Sequence, residues 1–193
     1  MTEQTSCIQD ATNDFLDRPT FAVGYFSPEE CARIIDLSTS LSAMDGRVTD
    51  QWELDKQVRS STVAWMAVSP NTRWIYEKLW TAVEEVNRCY RFDVFGIREV
   101  QVARYAPGDF YDWHLDIGKA DTSSRKLSLS VQLTDPENYD GGELLIHGYE
   151  NEKPVKEIGS VIVFPSYLSH CVNSVTSGTR WSLVAWVHGP PFR

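Results

Sequence analysis

Histidine, cysteine and methionine are scarce in this chain, at four, four and three of 193 residues. Basic residues are also in deficit. There are 18 Lys and Arg against 27 Asp and Glu, a net charge of -9 at pH 7. Phosphate contacts need a basic surface, so no nucleic-acid partner is expected. Adhesion to an anionic membrane surface is disfavoured for the same reason. No apolar run approaches the roughly 20 residues that a membrane-spanning helix needs. The opening stretch MTEQTSCIQDATNDF is polar and acidic, unlike a signal peptide or an Arg-rich transit peptide. Cys7, Cys31, Cys89 and Cys171 form no C-x-x-C pair. Free buried thiols are therefore expected rather than a disulfide framework or a cysteine zinc site. The expectation is a soluble, cytoplasmic protein with residues 1–193 in one domain.

What is present is enough apolar material for a core: 42% hydrophobic residues, including seven Trp. The texture changes near residue 97. Over residues 1–96, a helical support region, two helices are predicted. Ser27-Pro28-Glu29-Glu30 combines an N-cap, a proline at the first helical position and a Glu that completes a capping box. Cys31, Ile34, Ile35 and Ser38 follow at helical spacing, with Leu41 closing the stripe. A second helix starts near Asn71 or Thr72, with Ile75, Leu79, Ala82, Val83 and Val86 on one face. Between them Arg59 to Val68 looks extended, with Val63, Trp65 and Ala67 alternating.

From Ile97 onward the period becomes two. Leu127, Leu129, Val131 and Leu133 alternate with Lys126, Ser128, Ser130 and Gln132, the pattern of a strand with one face in a core. Trp181, Leu183, Ala185 and Val187 repeat it. Ser160 to Phe164 is a short apolar run ended by Pro165, and Gly141-Gly142 precedes Glu143 to Ile146. Such spacing predicts an antiparallel β sandwich or barrel over 97–193, with the helices packed on one face.

Four histidines carry the candidate chemistry. His114 and Asp116 stand two apart, which on a strand aims both side chains at one volume. His170 follows the later strand signals, after Phe164-Pro165-Ser166. Two His and one carboxylate on one face of an octahedron leave positions open, as in non-haem Fe(II) oxygenases. Arg180, ten residues after His170, offers a planar fork suited to a carboxylate. Read singly, the same residues also describe a turn-capping His and an Arg that begins a surface strand.

Taken together, the motifs resemble a known family. They run Tyr105…Gly108…Tyr111…His114-Leu115-Asp116, then Arg125 to Pro136, then Tyr139-Asp140-Gly141-Gly142-Glu143-Leu144. Gly159-Ser160 with Phe164-Pro165-Ser166…His170, Gly178-Thr179-Arg180 and the tail Trp186 to Phe192 complete the set. In this order the chain resembles the Fe(II)- and 2-oxoglutarate-dependent dioxygenases of the prolyl/lysyl hydroxylase-like group, from about Ala22 to the C-terminus. The resemblance implies a mostly β fold with flanking helices, a double-stranded β-helix of jelly-roll, cupin-like form. It further implies Fe(II) held by His114, Asp116 and His170. The far carboxylate of 2-oxoglutarate would pair with Arg180, with hydrogen bonds from Tyr105 and Ser182. O2 would be the oxidant, ascorbate a supporting reductant, and succinate and CO2 the products beside a hydroxylated C–H.

Two departures bear on the substrate. Collagen-type prolyl hydroxylases use a lysine in the role of Arg180, and animal oxygen-sensing relatives carry a tyrosine where Gln132 stands. The substrate expected is a protein, peptide or small molecule, with a prolyl, lysyl or other amino-acid-like target as the analogy. Asp116 argues against the halogenase variant, which lacks that carboxylate. Arg59, Trp65 and Tyr111 are candidate substrate contacts, and residues 45–59 a candidate lid. Trp113 is expected at the core or rim, and His147 and His188 in structural roles. Rival functions are a small-metabolite hydroxylase, a binding module without turnover, and a zinc hydrolase on the same ligand set.

Overall fold

A computed structural model describes residues 15–46, 55–152 and 154–192. In chain order its elements are β1 (Thr20–Ala22), α1 (Pro28–Thr39), β2 (Met44–Asp45), β3 (Arg59–Ser60), β4 (Thr62–Trp65) and α2 (Arg73–Tyr90). These are followed by β5 (Gly96–Tyr105), β6 (Phe110–His114), β7 (Arg125–Gln132), β8 (Tyr139–Gly141) and β9 (Leu144–Ile146). The last four are β10 (Val161–Pro165), β11 (His170–Val172), β12 (Val175–Gly178) and β13 (Arg180–His188). A seven-stranded sheet runs β1-β10-β7-β13-β5-β4-β2, faced by a four-stranded sheet β3-β6-β11-β9, with β12-β8 as a third pair. Every pairing is antiparallel. This is the jelly-roll expected.

The helices form for the local reasons the sequence offers. The Ser27 hydroxyl accepts from the Glu30 amide at 3.2 Å, and the Ser27 amide donates to Glu30 Oε2 at 2.7 Å. Two amides that a helix start leaves without partners are thereby satisfied. Helix α1 ends at Thr39, before Leu41, which is left exposed. Helix α2 terminates where Arg91 turns left-handed, and the Asn87 side chain holds the next turn by bonding both backbone groups of Phe92. Ile34 of α1 and Ile75, Leu79 and Val83 of α2 share one core with Val100, Val102, Leu127, Leu129, Val131, Leu183, Ala185 and Val187. The apolar stripe of each strand thus lies under the helices.

The opposite faces of these strands carry polar residues, which on an antiparallel sheet commonly meet solvent. Instead all eight residues of β7 are buried. The register places Ser182 beside Gln132, Val184 beside Ser130 and Trp186 beside Ser128, with Tyr105 across from Arg180. These side chains form the inner wall of the jelly roll, where polarity serves a cavity instead of solvent. The segment from Arg59 is likewise not one strand. The chain crosses at Ser61 from the small sheet to the large one, so Val63 and Trp65 face inward while Ala64 and Met66 are buried on the other side. Ala67 lies beyond the strand and is exposed.

Cys31 and Cys171 are free and buried, as expected. Cys89 is disulfide-bonded, contrary to the expectation of free thiols throughout. Cys7 and residues 47–54 of the candidate lid lie outside the described residues.

Leu79→Ala opens a cavity at a fully buried site and is expected to cost about 2–5 kcal/mol. Ser27→Ala removes only a cap and should cost about 1 kcal/mol. Urea unfolding followed by circular dichroism ranks the two, and equal losses would contradict this packing.

Candidate metal centre

His114 ends β6 and His170 begins β11, and the two residues are direct partners across that antiparallel pair. Asp116 lies two residues beyond His114 in the loop rather than on the strand. Its amide donates to Ser166 O at 3.1 Å. Donor atoms of the three side chains all lie within 4.8 Å of one another. His114 Nε2 is 3.8 Å from Asp116 Oδ1, and His170 Nε2 is 3.4 Å from Oδ2.

The surroundings orient each donor. His114 Nδ1 lies 2.7 Å from Asp112 O and His170 Nδ1 3.0 Å from Leu168 O. A carbonyl only accepts, so each Nδ1 carries the hydrogen, which leaves each Nε2 as the ring atom beside Asp116. Asp116 is buried, and Ser128 Oγ donates to its Oδ2 at 2.6 Å while bonding Ser166 Oγ at 3.0 Å. Arg125 donates to the Asp116 carbonyl at 3.2 Å and stacks 4.0 Å from the Trp186 ring. Burial opposes the charge on Asp116, yet His170, His114 and Arg125 together hold its carboxyl below the usual range. Burial, reinforced by His170, pushes His114 down to about 3. A neutral imidazole and an ionised carboxylate need lose no proton to receive a divalent cation. The set fits one.

A second buried charge shares the space. Arg180 is 1% exposed, and its fork donates to Gln132 Oε1 at 3.0 Å and Ser182 Oγ at 3.4 Å, with the Tyr105 ring 5.4 Å away. Its Nε has no partner, and among the described residues it forms no ion pair. A lone buried guanidinium is costly unless an anion completes it. Gly142 leaves room for it: the residue has φ +64°, and a Cβ there would come within 2.9 Å of Arg180 Cδ. Arg180 therefore begins an inner strand and not a surface one.

One cavity of about 820 Å³ is lined by all nine predicted site residues: His114, Asp116, His170, Arg180, Tyr105, Ser182, Arg59, Trp65 and Tyr111. Tyr111 stacks on the His114 ring at 3.5 Å, and the Arg59 guanidinium lies over the Tyr111 ring at 4.5 Å. Trp65 packs against Trp186 with ring centres 6.0 Å apart. Sequence reasoning missed Ser128, Ser166, Arg125 and Gly142. Trp113, expected at the core or rim, is 42% exposed and packs edge-on against the His147 ring. His147 pairs with Glu150 away from the cluster, and His188 is bound at both nitrogens, to Glu99 and Ser124.

Residues 100–188 match the family model of the 2OG-Fe(II) oxygenase superfamily, a span holding the cluster and Arg180. The chain is similar to a PKHD-type hydroxylase of Picosynechococcus, 29% identical over 164 residues, covering 83% of this chain and 74% of that protein. A Pseudomonas putida prolyl-4-hydroxylase structure superposes with TM-score 0.70 at 19% identity, covering 89% of this chain and 92% of that one. A Trichoplax adhaerens prolyl hydroxylase, in complex with a hypoxia inducible factor peptide fragment, gives 0.74 at 16%, covering 90% and 84%. The 2OG-Fe(II) oxygenase match, the hydroxylase relatives and the His114, Asp116 and His170 cluster together support a dioxygenase that takes Fe(II), 2-oxoglutarate and O2. It shares its fold with the prolyl-4-hydroxylase structure and its sequence similarity with PKHD-type hydroxylases.

Ser128→Ala deletes the hydroxyl that holds Asp116 and is expected to weaken Mn(II) affinity about 10–100-fold. Calorimetric titration reads the change, and an unaltered affinity would remove Ser128 from the metal's supporting shell.

Proposed function

We propose that the protein hydroxylates an unactivated C–H of a prolyl, lysyl or other amino-acid-like residue in a protein or peptide, releasing succinate and CO2. The observation that carries the reading is the buried Arg180, which forms no ion pair among the described residues, in the same cavity as the His114, Asp116 and His170 cluster. In this reading the cluster holds Fe(II), and Arg180 receives the far carboxylate of 2-oxoglutarate with help from Ser182 and Tyr105. The bound iron and co-substrate together supply the activation of O2. This chain's residues orient and exclude water. Ser128 and Ser166 keep Asp116 aimed, and Phe164 packs edge-on against the His170 ring at 4.7 Å. Arg59, Tyr111 and Trp65 form a further stretch of cavity wall, where the substrate is placed. Support for a peptide comes from the solved relative with a bound peptide fragment.

His114→Ala is expected to abolish 2-oxoglutarate-dependent succinate formation, and unchanged turnover would remove His114 from the site. Arg180→Ala should weaken 2-oxoglutarate binding by about 2–4 kcal/mol while leaving metal binding largely intact. Anaerobic calorimetry measures both, and an unmoved co-substrate affinity would contradict the assignment.

A further inference from the structure

Gln132 stands at the end of β7, 2% exposed, and is held on every side. Its amide donates to Ser160 O at 3.0 Å, and its carbonyl accepts from the Gly159 amide at 2.7 Å. The side chain makes two further bonds. Arg180 donates to Oε1 at 3.0 Å, and Nε2 donates to Val155 O at 3.1 Å. A guanidinium only donates and a carbonyl only accepts, so these two partners admit a single orientation of the amide. Val155 is itself packed against the Ile146, Ile162 and Phe164 cluster, which makes it a firm anchor.

Among the described residues the contacts to Arg180 are all neutral: Gln132, Ser182, the Tyr105 ring and Tyr139. An acid at position 132 would close an internal ion pair and cancel the charge. Glutamine supplies the same acceptor geometry and no charge. We infer that Gln132 is a positioning and specificity residue that aims Arg180 yet leaves its charge uncompensated, so that the cavity selects a 2-oxo acid with a second carboxylate. The inference rests on the assignment of Arg180 to the co-substrate.

The test is the anaerobic Kd of 2-oxoglutarate for Mn(II)-loaded protein, read by calorimetry with Mn(II) affinity measured alongside. Gln132→Glu places an anion against Arg180 and is expected to weaken 2-oxoglutarate about 100-fold or more. Gln132→Met keeps the volume and deletes the acceptor, for a loss of about tenfold. Mn(II) affinity should hold in both. Binding by Gln132→Glu within about threefold of the parent, while Arg180→Met loses it, would overturn the inference alone. Parent-like binding by Arg180→Met would instead overturn the assignment of Arg180 beneath it. If the glutamate variant does not fold by circular dichroism, the methionine variant decides, and an unchanged Kd there overturns the inference.

Discussion

The pairing of β6 with β11, which sets His114 directly across from His170, is the contact on which the site depends. It joins segments more than fifty residues apart and fixes the distance between two donors by backbone hydrogen bonds rather than by side-chain packing. Asp116 then needs only to reach back from a short loop, and the tie of its amide to Ser166 brings it there. Two of three donors thus come from strand ends, the rigid parts of the fold, while the third is steered by Ser128. Arg180 belongs to the same frame, since β13 pairs with both β5 and β7.

This frame has an energetic consequence. The large sheet buries both faces, one apolar beneath the helices and one polar toward the cavity. Ser128, Ser130 and Gln132 are buried, and Arg180 is buried without a counter-charge among the described residues. A buried polar group is tolerated when bonded, and a buried charge when paired. Asp116 meets that condition in part, through Ser128 and the nearby Arg125, and its remaining demand matches a cation. Arg180 meets it only through neutral contacts. In the proposed function each ligand completes a pairing that the described chain leaves open, which would link ligand binding to stability.

Much of this was legible in the sequence because the signals were local. The capping box at Ser27, the apolar face of α2 and the period of two in β7 and β13 each reflect geometry over a few residues, and the structure follows them. The cluster and Arg180 were recognisable from motif order. What the pattern did not disclose is which side of a strand faces outward. Alternation in β7 reads the same whether the polar face meets water or a cavity, and only the closure of the two sheets decides it. The break at Ser61 was hidden for the same reason, since a change of sheet leaves no mark on an extended stretch. Ser128 and Gly142 act on partners distant in sequence, Asp116 and Arg180, with nothing nearby to announce them.

The most direct test of the account is an anaerobic titration of the metal-free protein with Fe(II) and then 2-oxoglutarate, followed by visible absorption. A charge-transfer band that appears only when both are present, and is lost in His114→Ala, is the predicted result. A folded protein that gives no band with both would contradict the assignment of this cavity to iron and 2-oxoglutarate.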